Sequence, residues 1–249
     1  MKQSRFFSRI LLAALPLILF SCGGGTSDKD EKAASDTAAV ATPAETPAPA
    51  AANTIITTPE TMLTIVFKVS SFQKWMAVHE KGDSMRKADG LHDYVIGRGF
   101  KDSNMVLVAM KADDAEKAKA HVKMPGMKKM MQTAGVMGNP DISIVTMTWQ
   151  DTVNVGNVIR SRTTFAVKNW STWESTFKEG KQERLDNGIT DRAYGHDVMD
   201  SNKVSLVTAV MDTAKAFAYY KSDALKKRRA AGGVMGEPKR FLFQIVKRY

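Results

Sequence analysis

From residue 62 almost to its end, the chain is written twice. Setting Val136 on Val234 gives a period of 98 residues, and that one offset holds without a gap. Phe67 falls on Phe165, Trp75 on Trp173, Gly82 on Gly180, Arg86 on Arg184, Gly90 on Gly188 and Asp93 on Asp191. "DSN" at 102–104 falls on "DSN" at 200–202, and "AGVMGNP" (134–140) on "GGVMGEP" (232–238). A register this long marks a tandem duplication. The period is too long for a solenoid unit and right for a small domain, so whatever fold the chain adopts is built two times.

Each copy reads in the same order. "MLTIVFKV" (62–69) is a strand by its β-branched, apolar run, and Ser70 or Ser71 caps a helix that extends to about Ala88 before Gly90 stops it. "HDYVIGRGF" (92–100) alternates as a strand, "DSN" makes the hairpin turn, and "MVLVAMKA" (105–112) returns. Asp114 opens a second helix that bends near Pro125 and Gly126 and ends at Gly135, and "ISIVTMTW" (142–149) closes the copy as a strand. Gly135 and Gly233 are placed in the left-handed cap conformation, with Val136 and Val234 packing back and Pro140 and Pro238 starting the next strand. The order βαββαβ is the ferredoxin-like arrangement, an antiparallel sheet with two helices on one face. The bare face of such a sheet needs a cover, and the second copy supplies one.

The helix pattern W-x10-R-x3-G, the D-x-N hairpin and the helix end K-K-x4-(A/G)-G-V-M-G-x-P together resemble the dimeric α+β barrel superfamily, which includes proteins related to antibiotic-biosynthesis monooxygenases. The resemblance spans both copies. It implies an α+β fold of two tandem ferredoxin-like domains, residues 61–151 and 159–249, forming an intramolecular pseudo-dimeric barrel in a monomeric chain. It also implies a range of activities, among them cofactor-free monooxygenases and cyclases.

What precedes the copies is of another kind. Lys2, Arg5 and Arg9 are followed by "ILLAALPLILF" (10–20), too short an apolar run for a comfortable bilayer span, and then by Ser21 and Cys22. Residues 1–21 read as a secretory signal whose end resembles a bacterial lipobox, with Cys22 as the lipidation site and the membrane as a partner through that lipid. This places the protein in a bacterial cell envelope, lipid-anchored at the outer membrane. Residues 22–60 are rich in Ala, Thr and Pro without apolar period and read as a disordered tether. Cys22 is the only cysteine, which excludes disulfides and thiol chemistry from the domains. The formal charge of +10 includes Lys2, Arg5 and Arg9, so the mature excess is smaller. Export makes nucleic acid an unsuitable partner for that charge, and anionic lipid or a small acid suitable ones.

Candidate site residues lie on the first helix of each copy. Trp75, His79, Gly82 and Arg86 recur at helical spacing, as do Trp173, Phe177, Gly180 and Arg184, on the face turned to the sheet. A glycine within a helix costs about 1 kcal/mol relative to alanine. Here it either lets helix and sheet approach or leaves a hollow between Trp and Arg. Strict alternation adds Tyr94 and Tyr194 from the facing strands. An aromatic pocket with one arginine suits a small apolar or acidic ligand, the guanidinium gripping a carboxylate; the alternative is a solvated rim. Tyr94, Tyr194, Arg86 and Arg184 are also the groups an enzyme of this family would offer. His121, Met124, Met127 and Met130 are soft donors, but a helix packed on a sheet also favours methionine there. No spacing points to a metal site, and the reading includes no cofactor.

Overall fold

A computed structural model describes residues 53–249; the expected signal segment, Cys22 and most of the tether lie outside them. The first ordered strand, β1 (Ile55–Ile56), falls inside the segment whose composition reads as tether. Ile55 and Ile56 pair with Asp151 and Gln150, and Thr54 bonds Asp151, so the end of the first copy holds these residues. Two isoleucines and an adjacent strand edge outweigh the polar composition around them.

The first copy continues with β2 (Glu60–Val69), the short helices α1 (Phe72–Lys81) and α2 (Asp83–Ala88), β3 (Leu91–Gly99), β4 (Met105–Ala112), α3 (Ala115–Val122), α4 (Met127–Thr133) and β5 (Val136–Asp151). The second copy has β6 (Ile159–Val167), α5 (Trp170–Glu179), α6 (Lys181–Asp186), β7 (Ile189–Asp197), β8 (Lys203–Val210), α7 (Thr213–Tyr219), α8 (Asp223–Ala231) and β9 (Val234–Arg248). The helix starts follow the sequence. Ser71 accepts from Lys74 N, Asp114 from Lys117 N and Asp212 from Lys215 N, each satisfying an orphan donor of the first turn.

Where a single long helix is expected, two short ones stand. The first helix of each copy breaks at Gly82 and Gly180, which end one helix and begin the next. The second breaks at Gly126 (φ 87°) in one copy and at Ser222 in the other.

All strand pairs are antiparallel, and the order β5-β2-β4-β3-β9-β6-β8-β7 closes on itself through β5 and β7. Each copy contributes four strands in ferredoxin-like order, and the seams β3–β9 and β5–β7 join the copies into one barrel. Helices cover the outside. Under α1, Trp75 meets Phe67 edge-on with centroids 5.4 Å apart, and under α5 Trp173 meets Phe165 at 5.6 Å. Each of these tryptophans is 4% exposed, and full burial of a large apolar side chain contributes about 1.5–3 kcal/mol. Among the described residues no helix is long and apolar enough to cross a membrane.

The duplicated "GVMGxP" segment is a joint, though not quite the one expected. Gly135 and Gly233 are left-handed (φ 80° and 67°), but β5 and β9 begin at once with Val136 and Val234. Pro140 and Pro238 lie inside the strands, at a bulge where the β2–β5 register jumps from Val66↔Asp141 to Lys68↔Met137 and where β6–β9 jumps likewise. The bulge absorbs a residue that cannot donate to the ladder. A Cβ on Gly135 would lie 2.6 Å from Ser70 Oγ. Gly135→Val is therefore expected to cost about 1–3 kcal/mol of stability by denaturant titration, without changing ligand preference.

Candidate functional site

The glycine and arginine of each first helix form a joint. Arg86 folds back over Gly82, with Nη1 donating to His79 O at 2.8 Å, Nε to Asp93 Oδ1 at 3.0 Å and Nη2 to Asp93 Oδ2 at 2.5 Å. Arg184 does the same over Gly180, donating to Phe177 O at 2.7 Å and to Asp191 at 2.7 and 2.6 Å. A Cβ on Gly82 would sit 2.8 Å from Arg86 Nη1, and one on Gly180 3.0 Å from Arg184 Nη1. The glycines thus make room for a guanidinium, which satisfies the carbonyls of a helix end and fixes it to the sheet. This corrects the expectation that Arg86 and Arg184 are free to grip a ligand's carboxylate: each is already paired bidentately with a carboxylate of its own chain.

Asp93 and Asp191 reach these arginines because of a bulge. On β3 the pairing with β4 steps from Asp93↔Met110 to Val95↔Ala109, and on β7 that with β8 steps from Asp191↔Thr208 to Ala193↔Val207. One extra residue in each strand shifts the alternation. Asp93 and Ile96 therefore both face the helices, while Tyr94 turns into the barrel interior beside Met62 and Met147. Tyr94 is thus not part of the helix–sheet site. Its counterpart by position, Arg192, also faces the barrel. Tyr194 does face the helices, 3% exposed behind Trp173 and Phe177, with centroids 5.9 and 5.4 Å away. Burial pushes its hydroxyl well above the usual range, aided by Glu174.

Between helices and sheet each copy leaves a hollow, and the two have diverged. The first holds about 160 Å³, lined by Trp75, His79, Gly82 and Arg86 together with Phe67 and five methionines, Met85, Met110, Met127, Met130 and Met131. The second holds about 90 Å³. There Phe177 replaces His79, Tyr219 replaces His121, and Arg228 and Arg229 replace Met130 and Met131. Arg228 is fixed by Glu183 at 2.7 Å, and burial together with Glu183 pushes the Tyr219 hydroxyl up to about 12.

Where the second copy has only Phe177, His79 gives the first hollow a polar group. Its ring stacks on Trp75 with centroids 4.9 Å apart, and its side chain is 8% exposed. Nε2 lies 3.2 Å from Asp93 Oδ2 but off the hydrogen-bond direction, so this buried nitrogen has no hydrogen-bond partner among the described residues. Burial raises the affinity of Asp93 for a proton, but the adjacent His79 and Arg86 outweigh it and hold the carboxyl below its ordinary range. His121 also borders this hollow, its Nδ1 2.8 Å from Asp89. Met127 and Met130 join it there, whereas Met124 does not.

Asp93, Asp191, Met85, Met110 and Met131 are site residues not singled out from the sequence. The pair was nevertheless written in it: Arg86 and Asp93, like Arg184 and Asp191, stand seven apart in both copies.

No family model matches the chain, and no curated protein does either. Solved structures do. An anthrone oxidase-like protein is 15% identical with a TM-score of 0.51, covering 78% of this chain and 95% of that one. A mutant chlorite dismutase from Candidatus Nitrospira defluvii, in complex with cyanide, is 10% identical with a TM-score of 0.50, covering 77% and 92%. The likeness is one of fold: the chain has the dimeric α+β barrel fold, built here from the two copies within one chain.

Proposed function

We propose that the protein is an exported lipoprotein, held at the outer membrane of a bacterium through lipid on Cys22, that binds a small and mainly apolar molecule in the hollow of its first copy. The observation that carries the binding role is a hollow of about 160 Å³ walled by aromatic rings and methionines, with His79, whose Nε2 makes no hydrogen bond among the described residues and lies 3.2 Å from Asp93, as its polar handle. An engineered apolar cavity of about 150 Å³ holds benzene. Pockets for drug-sized ligands run to about 300–1,000 Å³, which limits the guest to a single ring or a short chain. Methionine side chains repack around different shapes, so α4, none of whose residues is buried, makes an adaptable cover.

The acidic ligand foreseen for this place loses its support, because Arg86 is taken by Asp93. Native mass spectrometry of the protein purified from its source tests the reading. The expected result is a co-purifying small molecule that is absent from His79→Phe, the variant that installs the second copy's residue. A molecule carried unchanged identifies a binder. Conversion of the molecule on incubation in air would favour the alternative of a cofactor-free monooxygenase or cyclase. No bound molecule, with wild type and variant indistinguishable, would leave a structural or interaction role in the envelope. The same spectra test the anchor: acylation adds mass at Cys22, and Cys22→Ala is expected to abolish it and release the chain from membranes.

A further inference from the structure

The barrel interior is a different kind of space from either hollow. All eight closing strands line it, and it encloses about 100 Å³. Four guanidinium groups border it: Arg160 and Arg162 on β6, Arg192 on β7 and Arg248 at the end of β9. The matching positions of the first copy hold Met62, Thr64, Tyr94 and Gln150, so the basic character belongs to one copy alone. Arg160, Arg162 and Arg192 are 2%, 4% and 7% exposed.

Their partners do not balance them. Arg192 meets Asp151 at 3.2 Å and Val153 O at 2.6 Å. Among the described residues Arg160 donates only to the carbonyls of Val158 and Gly156, at 3.1 and 3.3 Å. Arg162 crosses the barrel to Ser143 Oγ at 2.8 Å, and the exposed Asp141 stands 3.9 Å away. Arg162 Nε has no hydrogen-bond partner among the described residues, and neither has Ser205 Oγ on the same lining. Burial, with Arg192 and Arg248 adding to it, brings Arg160 down to about 10. Uncompensated buried charge is costly, and unpaired buried donors add to that cost. An anion removes both penalties, and a carboxylate matches the guanidinium fork. The rest of the lining is mixed: Met62, Leu107 and Met147 stand with Thr64, Tyr94 and Gln150, and Phe243 pairs directly with Arg160 across β6 and β9.

We propose that the barrel interior binds a short-chain monocarboxylate, its charged end toward Arg160, Arg162 and Ser205 and its alkyl end toward Met62 and Met147. The volume admits only a few carbon atoms beyond the carboxylate. This site is independent of the helix–sheet hollow, and the two are tested separately.

The probe is butyrate, titrated into the full chain in detergent solution, with neutral butyramide and chloride as controls. The expected result is an unfolding temperature that rises with the logarithm of butyrate concentration, with no such rise for butyramide or chloride. The arginine Nε–H signals of wild type should shift saturably at the same concentrations. Arg160→Met combined with Arg162→Thr, which installs the first copy's residues, should weaken butyrate at least ~10-fold, about 1.4 kcal/mol. His79→Phe should leave it unchanged. Equal responses to butyrate and butyramide, equal responses to chloride, or undiminished binding by the double variant would each overturn the proposal. Should the double variant fail to fold, unmoved arginine signals in wild type would overturn it equally.

Discussion

Replacing Asp93 with alanine is expected to lower the unfolding free energy by about 3–5 kcal/mol, measured by urea denaturation, because it leaves Arg86 buried without its counter-charge. The Asp93 side chain is 3% exposed and that of Arg86 7%, so water cannot take over the lost bonds. The loss should be mainly that of an orphaned charge rather than of a favourable pair. Arg86→Met together with Asp93→Leu is therefore expected to recover much of the stability. The pH dependence has a definite sign. Asp93 binds its proton more weakly when folded, so its contribution is present above the unfolded carboxylate range near ~3.9 and is lost as pH falls through the folded value. Wild type should consequently lose stability below pH ~4 more steeply than Asp93→Asn. Parallel curves would show that the buried pair does not carry the linkage.

The second large effect concerns barrel closure. Gly195→Ala is expected to cost about 3 kcal/mol or more, because the added methyl would lie 2.0 Å from Thr146 O and 2.7 Å from Met147 Cα. Both obstacles are backbone atoms of β5, so no rotamer change relieves them and the β5–β7 seam must part. Gly97, the matching residue at the β3–β9 seam, meets the Phe243 ring at 2.3 Å instead. A side chain can move where a backbone cannot, so Gly97→Ala should cost less. Equal unfolding midpoints for Gly195→Ala and wild type would mean that the seam is looser than its geometry implies.

These two cases show where the sequence is legible. The repeat, the strand order and the closed barrel follow from a fixed 98-residue offset, apolar alternation and the need to cover two bare sheets. The bulges after Asp93 and Asp191 do not follow, because alternation carries no mark of one inserted residue. That single step sent Tyr94 to the wrong side and hid the partner of Arg86. Gly82 was visible as an anomaly, but its cause lay four residues on, in a guanidinium folded back over the helix joint. The interior arginines stood out only where the copies disagree, and attention to what the copies share passes over such positions.

The central claim, that the first copy's hollow receives a small apolar guest, is tested most directly by methyl NMR of the methionines during titration with phenol. The account expects Met85, Met110, Met127, Met130 and Met131 to shift together and saturably, with the response abolished in His79→Phe. Methionines that stay fixed, or that drift uniformly without saturation, would contradict it.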